Sequence, residues 1–512
     1  METELKKDQS VNTDVESAKD SFVHGPKYIN WIYKLDNLGI ETRGIERVSP
    51  EEREELSQVI PKWKLFVETI GLWWAACGGL TSMSSFFLPT LLFGLNLRDS
   101  MVPGLIAMII GCLVPAYTST MGPKSGCRQM VSARFLFGQW GVKFVSLVTI
   151  VGGIGWSVVN SLMGGQMLRA INHNVSLDVG IVVICVITLI VAIFGIRVVL
   201  KFQTILSIPL FVACILFYVV VCQKMDYIHD SNELVKEAGY SAVTTRGNWL
   251  SYFAICYSVT ATWGAGASDY YILYPEKTPS YQIFLITFLG IGIPSTFVAI
   301  AGTFCGTIAL SYKPWNDAYN EFGVGGLIVE TFSHWGRFGK FVSFQLIDRY
   351  LLYVPRWIWA TVITVIYFVL SIAGKNHFST ILGNFLPMLG YWITIYIALL
   401  LEENLIFRST VTTRKLHERE FDDADDEEDY DKLYNWDNWN DPKKITMGLA
   451  ASLAFGCGVA GAVIGMNQTY YQGPIAKLVG DYGADLGMWL SFGFTGITYP
   501  IFRYIELKQF KR

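Results

Sequence analysis

The stretch from Trp73 to Pro89, WWAACGGLTSMSSFFLP, constrains the chain more than any other. It is apolar enough to enter a bilayer. Yet Gly78 and Gly79 interrupt it, and Thr81, Ser82, Ser84 and Ser85 follow within about two turns. A plain anchor helix has no need of such an interruption. Hydrocarbon offers no partner for freed amides and carbonyls, so unwound backbone at membrane depth survives only where it is buried in protein or lines a cavity. In secondary transporters, Gly- or Pro-interrupted segments mark the substrate site near the bilayer midplane. The alternative is close helix packing by small residues.

Composition supports the membrane reading. Of 512 residues, 52% are hydrophobic and 16% charged, against about 25% charged in soluble chains. A net charge of -3, with charges clustered in a few loops, argues against a nucleic-acid partner. The nine cysteines fall mostly inside apolar stretches (Cys77, Cys112, Cys185, Cys214, Cys256, Cys305, Cys457), without a CxxC pair or metal-ligand spacing. They read as small buried side chains, and no metal is expected. The polar N-terminus lacks the apolar core of a cleavable signal.

Residues 1–62 read as a cytosolic, partly disordered tail. Apolar stretches of about 20 residues follow near 64–95, 101–120, 142–168, 177–196, 204–222, 249–273, 281–310, 355–374, 379–402, 445–466 and 484–502, giving eleven clear spans. Domain boundaries are expected at 63–402 for a transport core, 403–444 for a cytosolic loop, 445–504 for two C-terminal spans and 505–512 for a cytosolic tail. The 403–444 loop carries an acidic run, Asp422 to Asp431, read as a solvated segment.

Between Leu310 and Pro355 no stretch is long enough to cross. With the N-terminus inside, the loops holding Lys124, Arg128 and Arg134, then Arg197 and Lys201, then Lys277, all fall inside. With eleven crossings, the basic loop 403–444 and the basic C-terminus would fall outside. One extra crossing between 311 and 355 returns both to the cytosol, so twelve spans are expected. That numbering also places the glycosylation sequons at Asn174 and Asn467 outside.

The first interruption has an echo. Gly264 to Pro275, GAGASDYYILYP, aligns without gaps on Gly78 to Pro89, matching Gly264 to Gly78, Ser268 to Ser82 and Pro275 to Pro89. Breaks near Gly78, Gly79, Gly264 and Gly266 in spans one and six are what inverted five-span repeats predict. Elsewhere, Trp156 and Asn160 stand at i and i+4 on one helix face. A Trp face stacks on a planar ring and a carboxamide offers donor and acceptor in one plane; the alternative is helix packing. Trp263 is a second stacking candidate. Asp269 is an acid inside an apolar span, a candidate for cation coupling or a solvated helix-end acid. Asn384 and Pro387 mark a later span, where proline frees a carbonyl one turn earlier. No nucleotide-binding glycine loop or activated nucleophile is present, so no enzyme is expected.

These residues resemble the fungal purine-cytosine permeases of the nucleobase-cation-symport-1 family. The resemblance runs through NLGIETRGIERV, TSMSSFFLPTLLFG, GPKSGCRQMV, GWSVVN, ASDYY, NFLPMLGYW and LLEENLIFR. It implies an all-α polytopic membrane protein of the leucine-transporter type, five plus five inverted spans and two more. It implies proton-coupled uptake of adenine, guanine, hypoxanthine and cytosine at the plasma membrane, with Ser85, Trp156, Asn160, Trp263, Asn384 and Pro387 at the substrate site. The proton is the coupling ion, no cofactor is expected, and the partners are the nucleobase, membrane lipid and trafficking or ubiquitin machinery at the cytosolic tail.

Two departures stand out. Some members carry a second Asn about one turn after Asn384, where this chain has Pro387 and Met388, which leaves vitamin B6 uptake open. In addition, GRFGKFV joins SFQLIDRY directly at Val342 and Ser343, where the family has an eighth span of about 20 residues. That span helps form the cation site, so its loss would give a transport-inactive paralogue or sensor.

Overall fold

The computed structural model describes residues 45–59, 61–193, 196–345, 357–421 and 432–512. Among them the chain is helical, with one isolated antiparallel bridge between Asn467 and Gln472. The principal helices are α1 (Pro50–Val59), α2 (Lys62–Cys77), α3 (Leu80–Ser84), α4 (Leu88–Phe93), α5 (Leu97–Ser119), α6 (Arg134–Ile171), α7 (Leu177–Ile193), α8 (Ile196–Cys222) and α9 (Tyr227–Glu237). They continue as α10 (Ala242–Ala261), α11 (Ser280–Ser311), α12 (Lys313–Thr331), α13 (Gly336–Gln345), α14 (Trp357–Gly374), α15 (Phe378–Glu402), α16 (Leu449–Gly465) and α17 (Gly487–Phe510).

Each of the eleven apolar stretches carries helix among the described residues. Of these, four segments, Leu97–Ser125, Arg134–Ile171, Ser280–Ser311 and Phe378–Phe407, are long and apolar enough to cross a bilayer as they stand. Two bent pairs, Lys62–Cys77 with Ser82–Phe93 and Ile208–Cys222 with Tyr227–Glu237, raise that to six. Leu177–Ile190, Thr361–Gly374 and Leu449–Gly465 are shorter apolar helices among the described residues. In the core, α5 lies against α10 and α11, α10 meets α15, and α16 and α17 pair with each other and with α15.

Basic residues gather at one end of the bundle. Arg47 pairs with Asp437, Arg53 reaches Glu276 at 3.4 Å, Arg134 bonds Asn440 at 2.8 Å, and Arg512 donates to the Pro442 carbonyl at 2.9 Å. The N-terminal segment, the connection after α5, the end of the sixth span, residues 432–444 and the C-terminus therefore share this basic end. Both sequons lie at the opposite, far end. Asn174 is exposed, whereas the Asn467 amide donates to the Tyr482 carbonyl at 3.1 Å and is structural.

Two connections expected outside the bundle pack against it. The tail expected over 1–62 is ordered from residue 45: the Val48 N–H bonds the Gly126 carbonyl at 2.9 Å, and the Arg53 side chain is fully buried, donating to the Pro123 carbonyl. A long-range contact fixes this segment, which its own composition does not reveal. The 403–444 loop is likewise packed at both flanks; its acidic run Asp422 to Asp431, like residues 1–44, lies outside the described residues.

The junction near residue 342 is flanked by contacts at the far end. Helix α11 ends at the far end, and Lys340 is still there, donating to the Ile171 carbonyl at 2.9 Å. Helix α14 finishes at the far end too, because Lys375 pairs with Asp178 at 2.7 Å. The junction of Val342 with Ser343 falls inside α13, which runs to the edge of the described residues. Residues 346–356 lie outside the described residues.

Candidate broken-helix site

Span one leaves helical geometry at two glycines. The Gly78 N–H closes α2 on the Trp74 carbonyl at 3.0 Å, and Gly79 is extended at φ -107°, ψ -170°. Helix α3, a 3-10 turn at Ser85–Phe87 and α4 complete the span. The carbonyl that Gly78 frees accepts the Cys214 thiol of α8 at 3.2 Å, so the break is satisfied by protein, as a low-dielectric setting requires. Helix α11 meets the 3-10 turn with Gly302 and Gly306. A Cβ on Gly306 would stand 2.8 Å from Phe87 Cα and 2.7 Å from its carbonyl oxygen. Only a residue without a side chain admits that approach, the logic of a small-xxx-small face.

Span six breaks in kind. After α10 the chain forms two 3-10 turns, Thr262–Ala265 and Ala267–Tyr270, joined by Gly266 at φ -145°, ψ 10°. Gly264 sits in the first turn, pressed against Val114 of α5.

Each break presents a buried hydroxyl. Ser85 Oγ in span one and Ser268 Oγ in span six find no hydrogen-bond partner among the described residues. A buried hydroxyl left unpaired costs about 1–3 kcal/mol, which a polar ligand would recover. Trp156 on α6 meets Phe385 of α15 edge-on at 6.3 Å, and Phe385 lies so close to Gly155 that a Cβ there would be 2.1 Å from the ring. Phe93, Trp156 and Phe385 are partly buried and border both large core clusters. Asn160 is buried one turn along α6.

The remaining candidates are placed differently. Trp263 packs against Trp73 at 5.1 Å, and Trp73 donates to the Tyr271 hydroxyl at 3.0 Å. With Tyr274 on the Leu65 carbonyl at 2.9 Å, these contacts seal the basic-end halves of spans one and six. Asp269 accepts the Gln129 N–H at 2.6 Å, anchoring the second break to the connection after α5. Asn384 lies toward the far end, its amide donating to Thr469 Oγ1 at 2.6 Å and its carbonyl accepting the Thr469 N–H at 2.9 Å. Pro387 is buried within α15. Trp156 thus meets α15, which also packs on the first 3-10 turn of span six, while Asn384 and Asp269 are engaged in anchoring bonds. Phe385 was missed by sequence reasoning, although it stands between Asn384 and Pro387.

Comparison with known proteins agrees with this architecture. The family described as "Permease for cytosine/purines, uracil, thiamine, allantoin" matches residues 62–332, ending just before α13. The vitamin B6 transporter TPN1 of Saccharomyces cerevisiae is 44% identical over 555 residues, covering 98% of this chain and 94% of that protein. The purine-cytosine permease fcyB of Emericella nidulans is 30% identical over 519 residues, covering 96% and 94%. Both alignments are longer than this chain, so each relative carries residues with no counterpart here. Among solved structures, Mhp1, a nucleobase-cation-symport-1 family transporter in a closed conformation with bromovinylhydantoin bound, matches with TM-score 0.56 at 11% identity, over 87% of this chain and 93% of that one. That likeness speaks to the fold alone, a multi-pass helical transporter fold. On the family match and the two relatives, the chain belongs to the nucleobase-cation-symport-1 family of permeases.

Proposed function

We propose that this permease takes up pyridoxine, a pyridine of the vitamin B6 group, across the plasma membrane in symport with a proton. The observation that carries the reading is the 44% identity to the yeast vitamin B6 transporter across nearly the whole chain, against 30% to a purine-cytosine permease. It favours the B6 alternative over the purine and cytosine reading. The site is compatible with it. A pyridine ring bearing a hydroxyl and two hydroxymethyl groups meets the Ser85 and Ser268 hydroxyls, stacks beside Trp156 and Phe385, and is read at its edge by Asn160. For the ring to enter from the far end, the outer half of α15 must leave Thr469. Exit at the basic end requires Trp73 and Trp263 to part, as rocking of the repeats about a fixed site would achieve.

Uptake of radiolabelled pyridoxine by yeast lacking its own carrier tests this. The expected result is saturable uptake that unlabelled pyridoxine suppresses and excess cytosine does not, lost in Asn160→Ala at normal surface abundance. Uptake suppressed equally by cytosine would restore the purine-cytosine reading. A second reading, a transport-inactive sensor, draws on the direct junction of Val342 with Ser343 and on the residues that the relatives carry without counterpart here. It predicts pyridoxine binding without uptake.

A further inference from the structure

A buried carboxylate outside the broken-helix site stands between the elements that would have to move. Asp485 lies in the connection from α16 to α17 and is 1% exposed. Its Oδ2 accepts the Tyr391 hydroxyl, the Asn467 N–H at 3.4 Å and the Gln468 amide at 3.5 Å. Its Oδ1 accepts the Gly487 N–H at 3.0 Å, and its own N–H donates to Ser251 of α10 at 3.0 Å. The same connection holds α15 on successive turns: Asn384 by Thr469, Met388 Sδ by the Tyr470 hydroxyl at 3.2 Å, and Tyr391 by Asp485. Positions i, i+4 and i+7 share one helix face, so a single connection grips the far-end half of α15 along its length and ties it to α10.

The surroundings of Asp485 are neutral. Tyr391 faces it from α15, Ser251 from α10, and Gly487, Met488 and Trp489 open α17 beside it. Within the connection, Tyr470 is near, the Tyr482 carbonyl is taken by Asn467, and the Asp481 carboxylate is taken by Thr244 at 2.6 Å. No lysine or arginine among the described residues forms an ion pair with it. A buried carboxylate without a cation is costly, and its grip depends on charge: ionised it only accepts, whereas protonation turns one oxygen into a donor and removes an acceptor site.

We propose that Asp485 is a proton-responsive positioning residue: ionised, it locks the far-end half of α15 against α10, and a proton taken up on its carboxylate releases that half. This deepens the transport reading and rests on it for its physiological meaning. The step is proton uptake alone, with no covalent change.

Hydrogen exchange on the purified full-length protein tests it whatever the cargo. Peptides covering 378–391 and 466–486 are compared at about pH 5 and about pH 7.5, on either side of the range for buried carboxyls, after correction for intrinsic rates. Wild type is expected to lose about tenfold protection at the lower pH, the weight of a charge-assisted hydrogen bond. Asp485→Asn should show the unprotected level at both. Tyr391→Phe, which keeps the carboxylate but removes a donor that favours its charge, should keep the response with its midpoint moved to higher pH. Equal wild-type protection at both pH values, a wild-type response in Asp485→Asn, or an unmoved midpoint in Tyr391→Phe would each overturn the proposal. If Asp485→Asn does not fold, Tyr391→Phe decides. In cells, the pH dependence of pyridoxine uptake should flatten in Asp485→Asn. Absence of uptake in wild type would count against the substrate reading and leave the exchange result standing.

Discussion

Two arginines grip one carboxylate at the basic end. Arg503 forks onto Glu403 with two bonds of 3.0 Å, and Arg408 reaches the same group at 2.9 Å while holding Glu420 at 2.7 Å and 3.0 Å. His417 lies within this knot. Its Nδ1 faces Arg408 at 3.2 Å and Arg503 at 3.3 Å, and its Nε2 faces the Phe407 carbonyl. Two guanidinium donors on Nδ1 require the neutral ring, with Nε2 donating. Burial first, then Arg408, hold its pKa well below 6.5. The folded state therefore binds fewer protons than the unfolded one below that value, so this contribution is complete above pH 6.5 and is lost as pH falls. Each pH unit below costs up to about 1.4 kcal/mol. The thermal midpoint of purified protein should fall from about pH 7.5 to about pH 5.5, across the ordinary histidine range, and His417→Gln should shrink that fall; an unchanged slope would refute the role. Trp156, Asn160 and Ser85 could be put forward as site candidates from the sequence because their chemistry sits in short local patterns. Glu403 was not: its partner Arg503 is a hundred residues away, and no local pattern records that pairing. Phe385 was hidden because one aromatic among many apolar neighbours carries no signal of its own.

At the scale of elements, span one is a helix stopped by its sequence and held stopped by its neighbours. Gly78 and Gly79 allow the break, Cys214 occupies the freed carbonyl, and Gly302 and Gly306 of α11 let the 3-10 turn lie backbone against backbone. Gly306→Val should push Phe87 away and cost about 1–3 kcal/mol by overpacking, measured as a lower thermal midpoint and reduced surface abundance, whereas the same change at Gly456, whose Cβ would meet nothing, should be tolerated. The breaks could be read from the sequence because the small-residue interruption at Gly78 recurs in register at Gly264. The order of residues 45–59 could not, since Arg53 is buried only by virtue of the Pro123 carbonyl and Glu276.

At the scale of the molecule, charge sorts the two ends of the bundle. Basic loops predict a crossing between 311 and 355, an interval of which residues 346–356 lie outside the described residues. The gathering of basic residues at one end was legible because the bilayer sorts lysine and arginine by side; the substrate was not, because purine and pyridine rings ask for similar stacking and hydrogen bonding. We propose that this chain, as it stands, carries pyridoxine with a proton. The most direct test is reconstitution of the full-length protein into liposomes with an imposed inward proton gradient. The account predicts accumulation of labelled pyridoxine that a protonophore abolishes; correctly folded protein that binds pyridoxine yet accumulates none under the gradient would contradict it.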